Sequence, residues 1–248
     1  MPSLSIVLPA YNEEENAAAA VEEVAAVARG LGLEHEIILV NDGSRDGTGR
    51  VGRELAGRIA QFRLVEHYPN RGYGGALKAG FAEAEGDLIA FVPADKQFAF
   101  GEIRRFLAEM ERTGADIVSG YRADRQDNAV RRLNAWGWNT LVRLLFGYLC
   151  RDIDCGFKLF RREVLAQVPI ASDGAMIDTE FLAGARARGY RIAEVPVTHL
   201  PRTAGEATGA NLGVVARAFW DLARFRLRLW RELRQEKAAV GESAVGLG

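Results

Sequence analysis

Short apolar runs alternate with helix-like stretches through the first half of the chain, and that rhythm admits very few architectures. Residues 4–8, 36–40, 62–65, 88–92 and 116–119 are the apolar runs, and residues 13–28, 46–59, 74–84 and 101–112 read as helices between them. A strand–helix repeat of this kind predicts a mostly parallel α/β sheet with helices on both faces. Ligands of such sheets lie beyond the carboxyl ends of the strands. The loops that start at Pro9, Asn41, Glu66, Pro93 and Gly120 are expected to share that edge and to bring Tyr11, Asp42, Asn70, Asp95 and Arg122 together. The run Glu13, Glu14 and Glu15 is expected in the first turn of the first helix, where the helix dipole favours acids.

The second half is less regular. Residues 129–149 form an apolar helix pattern that holds Trp136, Trp138, Leu144 and Phe146. A short strand follows Asp152-Ile153-Asp154-Cys155-Gly156-Phe157-Lys158, residues 179–188 read as helical, and residues 191–198 read as extended. Residues 201–210 are a loop of small residues, 211–237 a long helix and 238–248 a disordered end. The expected organisation is one domain over residues 1–210 with the helix and tail appended. The chain has 248 residues, 48% of them hydrophobic and 26% charged, a globular composition. Its net charge of -1 argues against a broad nucleic-acid surface. Its two cysteines, Cys150 and Cys155, cannot build a disulfide framework and fit a reducing compartment. The N-terminus lacks the marks of a signal peptide. The chain has no run of about 18 apolar residues, so no spanning helix is expected.

The strand ends carry the polar chemistry. "PAYNEE" (9–14) closes the first run and "NDGSRDGT" (41–48) the second. An aspartate beside a glycine at a strand end accepts hydrogen bonds from a base or ribose, and a neighbouring tyrosine can cover a base. A tight turn capping a helix explains residues 41–44 equally well. "NRGYGGALKAG" (70–80) is glycine-rich and runs into a helix, a setting that favours phosphate. Leu77 stands where the third glycine of G-x-G-x-x-G belongs, and the Walker lysine pattern is absent. "IAFVPADKQF" (89–98) ends in a single carboxylate, Asp95, where many sugar-nucleotide metal sites place two as D-x-D. A depleted metal site, a working variant and an ordinary strand end all fit that stretch.

Taken in order, P-A-Y-N-E-E, V-N-D-G-S-R-D-G-T, N-R-G-Y-G-G-A-L, A-D-x-Q and D-C-G-F-K-L-F-R-R resemble the family 2 glycosyltransferases. Within them the chain is most similar to the dolichol-phosphate mannose synthase-like branch, the polyprenyl-phosphate glycosyltransferases. The resemblance covers roughly residues 3–210, and the Q-x-x-R-W signature of processive members is absent. It implies a GT-A fold and inverting transfer of a sugar from a GDP- or UDP-linked donor to a polyprenyl phosphate. Transfer to a hydroxyl acceptor, and a degenerate nucleotide-sugar-binding module without turnover, are the alternatives.

The resemblance also implies roles. Pro9, Ala10, Tyr11 and Glu13 would frame the base and ribose, and Asp42 would bond the base. Gly72, Gly75 and Lys78 would lie along the nucleotide. Arg122, Arg131 and Lys158 match positions where the branch places basic groups, and Arg202 matches the arginine of a loop that closes over the donor. The family usually writes its metal loop D-A-D-x-Q, and here it is P-A-D-K-Q. Mg2+ or Mn2+ takes oxygen ligands and manages with one or two carboxylates plus diphosphate oxygens. Asp95, with Gln97 as a secondary ligand, is therefore expected to form a variant metal site, with Lys96 either supplying positive charge nearby or pointing away. Asp152 and Asp154 are the candidate bases. Asp178 and Glu180 fit ordinary placement at a helix N-terminus better than chemistry.

In residues 211–237, Leu212, Val215, Phe219, Ala223, Leu227 and Trp230 fall on one helical face, flanked by Arg217, Arg224, Arg228 and Arg231. That pattern describes an interfacial helix as well as one packed on the domain. With the lipid-phosphate resemblance it implies peripheral attachment at the cytoplasmic face of a membrane.

Overall fold

The structure is a computed structural model that describes residues 3–123, 129–201 and 212–245, with backbone alone at 129–135, 212–219, 237 and 239–245. Seven strands form one mixed sheet in the order β3-β2-β1-β4-β6-β5-β7: β1 (Leu4–Ala10), β2 (His35–Asn41), β3 (Phe62–Glu66), β4 (Leu88–Phe91), β5 (Ile117–Arg122), β6 (Lys158–Arg161) and β7 (Ile192–Val197). β1 is buried along its whole length, which is why it reads as an apolar run broken only by Ser5. The helices are α1 (Ala17–Arg29), α2 (Thr48–Ala56), α3 (Gly72–Glu83), α4 (Ile103–Thr113), α5 (Ala129–Phe146), α6 (Glu163–Gln167), α7 (Met176–Ala187) and α8 (Leu212–Val245).

β1, β2, β3 and β4 are parallel neighbours, and β5 pairs parallel with β7. β6 alone is reversed and lies antiparallel between β4 and β5. The strands on its two sides therefore run the same way, and the expected loops do share one edge. β6 itself was expected only as an unplaced short strand. Its reversal carries the Asp152–Lys158 segment to the same edge, since Lys158 pairs with Phe91 and Ser119 there.

Close packing explains several small residues. α1 buries Ala17, Ala20, Val21, Val24, Ala25 and Ala28, a face of small side chains that lets the helix sit low. α3 approaches β1 so nearly that a Cβ on Gly80 would lie 2.2 Å from Val7 Cγ1. On one side of the sheet Phe81, Phe91, Phe160 and Phe181 form a ring cluster. Phe98, Phe100, Phe106 and Phe157 form another.

Several elements differ from expectation, three of them instructively. α1 starts at Ala17 and has no acid in its first turn. Glu13 and Glu14 are instead drawn toward α2: Glu13 N donates to Thr48 Oγ1, and Glu14 accepts from Gly47 N and pairs with Arg50. α6 was not foreseen. α8 stays helical to Val245, past residue 238 where a disordered end was expected. Within α8, Arg228 pairs with Glu232, and the Arg234 guanidinium lies 3.7 Å from the Trp230 ring centre. Among the described residues no helix is long and apolar enough to cross a membrane.

Candidate active site

Register aligns the first part of the site. Ala10 pairs with Asn41, and Asn41 with Glu66, so the next residues, Tyr11, Asp42 and His67, stand in a row beyond the strands. Asp42 is 2% exposed. Its Oδ1 accepts from His67 Nδ1 at 2.8 Å and from Arg71 N at 2.9 Å. A carboxylate only accepts, so the proton of His67 sits on Nδ1. Asn70 Nδ2 donates to the Asp42 carbonyl at 2.6 Å. Gly43 has φ +69, and a Cβ there would lie 2.7 Å from Asn70 N. The 41–44 segment is thus a tight turn and also the mount for Asp42. His67 was not among the sequence candidates. Its one signal is its place immediately after β3.

Tyr11 is 37% exposed beside Asp42. Pro9 and Ala10 are buried and contribute carbonyls, to Ala94 N and Asp42 N respectively. Glu13 is buried, and its Oε2 accepts from Asn16 Nδ2 at 2.7 Å. Its carboxylate sits in the network between α1 and α2.

The glycine-rich segment is used differently from the phosphate expectation. The N–H groups of Gly74 and Gly75 donate to the carbonyl of Asp173 at 2.8 and 3.2 Å. Lys78 Nζ donates to Asp173 Oδ1 at 2.5 Å and to the Ala171 carbonyl at 3.1 Å. Glu180 holds the same loop by accepting from Ala171 N and Ser172 N. A Cβ on Gly72 would meet the Asp173 carbonyl at 2.6 Å, and one on Gly74 would meet the Ser172 carbonyl at 2.6 Å. The glycines admit the 171–173 loop, and that loop takes the amide groups at the start of α3.

On the other side of β1, Pro93 packs on Gly156, where a Cβ would lie 2.9 Å from the proline Cγ. Asp95 Oδ1 accepts from Gln97 N at 3.1 Å. Lys96, at φ 60, turns away from Asp95 and pairs with Glu23 of α1. Its ammonium is matched by that glutamate. The Gln97 carboxamide nitrogen lies 3.4 Å from both Leu200 O and His199 Nε2, and Leu200 N donates to the Gln97 carbonyl.

Two of the expected ligand-binding cations are committed inside the protein. Lys158 is fully buried, and its ammonium donates to Asp178 Oδ1 at 2.6 Å, Ile153 O at 3.1 Å and Cys155 O at 2.5 Å. Burial alone would lower that ammonium, but the Asp178 charge holds it raised. With three donors all satisfied, Lys158 is a structural charge and does not reach a nucleotide. Arg122 clasps Asp152 with two parallel bonds, Nε to Oδ2 at 2.7 Å and Nη2 to Oδ1 at 2.8 Å. That pair corrects two expectations at once: Asp152 is not an open base, and Arg122 already faces a carboxylate. Asp178 and Glu180 are tertiary clamps and do more than favour a helix dipole.

Asp154 behaves otherwise. Its side chain is open to solvent within a crowded recess. Desolvation, then the charges of Asp178 and Asp152, push its carboxyl up to about 6. The Tyr73 hydroxyl is raised well above its ordinary range by burial and then by Asp178, Cys155, Asp154 and Asp95. Tyr73 therefore lies among the carboxylates of both loops. Burial pushes the thiols of Cys150 and Cys155 up to about 12, and both are free. Arg131 lies on α5 outside the described side chains, and Arg202 lies outside the described residues.

The donor set suits a hard divalent ion held partly by its ligand. Among the described residues no three His, Cys, Asp or Glu side chains converge to hold a metal. Asp95 offers a carboxylate on the loop after β4, and Asp154 a second one on the loop before β6 at the same edge. Mg2+ or Mn2+ at such a place takes its other oxygens from diphosphate and water.

Comparison with known proteins agrees with this geometry. The profile of glycosyl transferase family 2 matches residues 5–168. The chain is 34% identical over 204 residues to a dodecaprenyl-phosphate galacturonate synthase of Rhizobium johnstonii, covering 82% of this chain and 60% of the relative. It is 33% identical over 206 residues to an undecaprenyl-phosphate 4-deoxy-4-formamido-L-arabinose transferase of Pseudomonas fluorescens, covering 82% and 59%. The chain thus spans about 60% of the length of the curated relatives it matches. In fold it resembles glucosyl-3-phosphoglycerate synthase of Mycobacterium tuberculosis in complex with UDP, with a TM-score of 0.69 and 21% identity over 92% of this chain and 80% of that one. The same neighbour with Mn2+, UDP and phosphoglyceric acid gives a TM-score of 0.68, at 21% identity over 92% of this chain and 78% of that one. At that identity the likeness carries the GT-A fold alone.

Proposed function

This chain belongs to glycosyl transferase family 2, and from that premise we propose that it transfers a sugar, with inversion, from a nucleoside diphosphate sugar to a polyprenyl phosphate. The observation that carries the reading is the convergence of Asp42, Asp95 and Asp154 on one sheet edge. The relatives named for dodecaprenyl and undecaprenyl phosphates point to the acceptor, and the GT-A neighbours bound to UDP with Mn2+ or Mg2+ are a precedent for a nucleotide donor and a divalent ion on this fold.

Each residue has a task in this reading. Asp42 takes the base and Tyr11 covers it, on the floor made by Pro9 and Ala10. Asp95 would be the main protein ligand of the divalent ion and Gln97 a secondary one, with the Asp154 carboxylate at the same edge. When bound, that ion supplies positive charge where the departing diphosphate gathers negative charge. Arg131 and Arg202 take phosphate oxygens, a role that rests on the resemblance. Asp152 fixes Arg122, and Lys158 with Asp178 fixes the Asp154 loop. Gly72, Gly75 and Lys78 support the nucleotide side through the 171–173 loop. A polyprenyl phosphate is already an anion and needs little help from a base.

A cavity of about 310 Å³ lined by Trp136, Arg143, Tyr148 and Arg151 opens between α5 and the loop before β6. Arg143 lies over the Tyr148 ring, and Trp136 is 67% exposed. Aromatic rings beside guanidinium groups suit a lipid phosphate at a membrane surface. Taken by itself, the arginine and tryptophan pattern of α8 suits a membrane surface, in this reading the cytoplasmic face.

One observation favours a second reading. A carboxyl raised to about 6 is suited to take a proton from a sugar hydroxyl near neutral pH. Transfer of labelled sugar separates the two. Purified protein meets polyprenyl phosphate and a panel of GDP- and UDP-sugars with Mg2+, Mn2+ or EDTA. Label in the organic phase with one donor, lost in EDTA, is the expected result. Label only in an aqueous glycoside selects the hydroxyl acceptor. Nucleotide binding without transfer to any acceptor selects the binding module.

A further inference from the structure

We infer that the base accepted at Asp42 is uracil rather than guanine, and that His67 enforces the choice. The inference rests on the reading that Asp42 meets the base. Its own ground is the number of carboxylate lone pairs left open.

A carboxylate oxygen accepts two hydrogen bonds in its plane. Oδ1 of Asp42 already accepts two, from His67 Nδ1 and Arg71 N. Oδ2 makes no hydrogen bond among the described residues, and it is not one of the sealed, unpartnered polar atoms. It is the corner of the carboxylate that a ligand can reach. His67 and Asp42 are both buried, with side-chain exposures of 5% and 3%, so the pair cannot easily swing to offer Oδ1 as well.

Bases differ in what they ask of that corner. Guanine presents N1–H and N2–H side by side, a fork that matches both oxygens of a carboxylate. Uracil presents one imide N3–H and needs one oxygen. Cytosine N3 and adenine N1 are acceptors and would meet Oδ2 acceptor to acceptor. A single free oxygen in a fixed frame therefore selects uracil. His67 is a positioning residue here, because it acts through Asp42.

The test is calorimetric titration of the full chain with UDP, GDP and CDP in the presence of Mg2+. Wild type should bind UDP about 10- to 100-fold more tightly than GDP, the worth of one hydrogen bond to a charged group. His67→Leu removes a donor and frees Oδ1. The UDP-to-GDP ratio should then fall by about tenfold. His67→Asn, whose Nδ2 stands near the place of the imidazole Nδ1, should restore most of the ratio. Asp42→Asn keeps an oxygen for His67 and Arg71 and puts an amide N–H at the open corner. It should weaken UDP and favour CDP. Thermal melts establish that each variant folds, and the wild-type ratio decides even if His67→Leu does not. GDP binding as tight as UDP in wild type overturns the inference, as does an unchanged ratio in folded His67→Leu. UDP binding that ignores Asp42→Asn overturns the reading beneath it, that Asp42 meets the base.

Discussion

The two halves of the carboxyl edge handle polarity in opposite ways. On the β1–β2–β3 half, Asp42 is held by an imidazole and backbone amides, which steady a carboxylate without cancelling its charge. On the β4–β6–β5 half, full charges are matched to full charges: Lys158 to Asp178 and Arg122 to Asp152. The first arrangement leaves one oxygen of the Asp42 carboxylate without a hydrogen bond among the described residues. The second uses its charges to fix a loop, and leaves Asp154 open. Charge alone is therefore a poor guide to which half meets substrate.

The sharpest way to break that contrast is Lys158→Met. If the Lys158–Asp178 pair is structural, leaving Asp178 buried and alone should cost about 3–5 kcal/mol of unfolding free energy in denaturant titration. A well-folded Lys158→Met variant with lowered nucleotide affinity would return Lys158 to the binding site.

Asp154→Asn should do the reverse. Transfer should fall by about 100-fold or more, while the melting temperature at pH 7 should rise. The sign follows from proton binding. The folded carboxyl titrates near 6 and its ordinary value is 3.8, so the folded state binds more protons between those values. Stability then falls as pH climbs from about 4 to about 6, and stays reduced above that. Asp154→Asn should flatten that part of the stability profile.

Lys96→Met should be the mildest change. Its ion pair with Glu23 is partly exposed, so the loss should be about 1 kcal/mol or less. The concentration of Mg2+ or Mn2+ needed for half-maximal activity should not move. A clear shift in it would mean that Lys96 does serve the site at Asp95.

Much of the frame was legible because the buried strands announce themselves. β1 and β4 are enclosed on both faces, and their sequences are apolar but for the buried Ser5 of β1. The edge residues Tyr11, Asp42 and Asp95 follow from that alone. What the sequence hid is tertiary. Arg122 and Asp152 are thirty positions apart and carry no sign that they bind each other. Lys158 sits in a motif where a basic residue suggests phosphate, and only its zero exposure reveals otherwise. The glycines at the head of α3 suggested an anion, but the carbonyl that meets them comes from residue 173. His67 has no motif around it, and its partner is known only from strand register.

The reversed β6 has a consequence for how the molecule is made. β4 and β5 are consecutive along the chain but are not neighbours in the seven-stranded sheet, because residues 158–161 lie between them. During synthesis β3, β2, β1 and β4 can assemble in their final order, whereas β5 has nowhere to dock. Until β6 leaves the ribosome, β4 and β5 each show a bare edge of the kind that seeds aggregation. Pairings of such long sequence separation also form slowly. A nascent chain halted between these strands carries both bare edges at once.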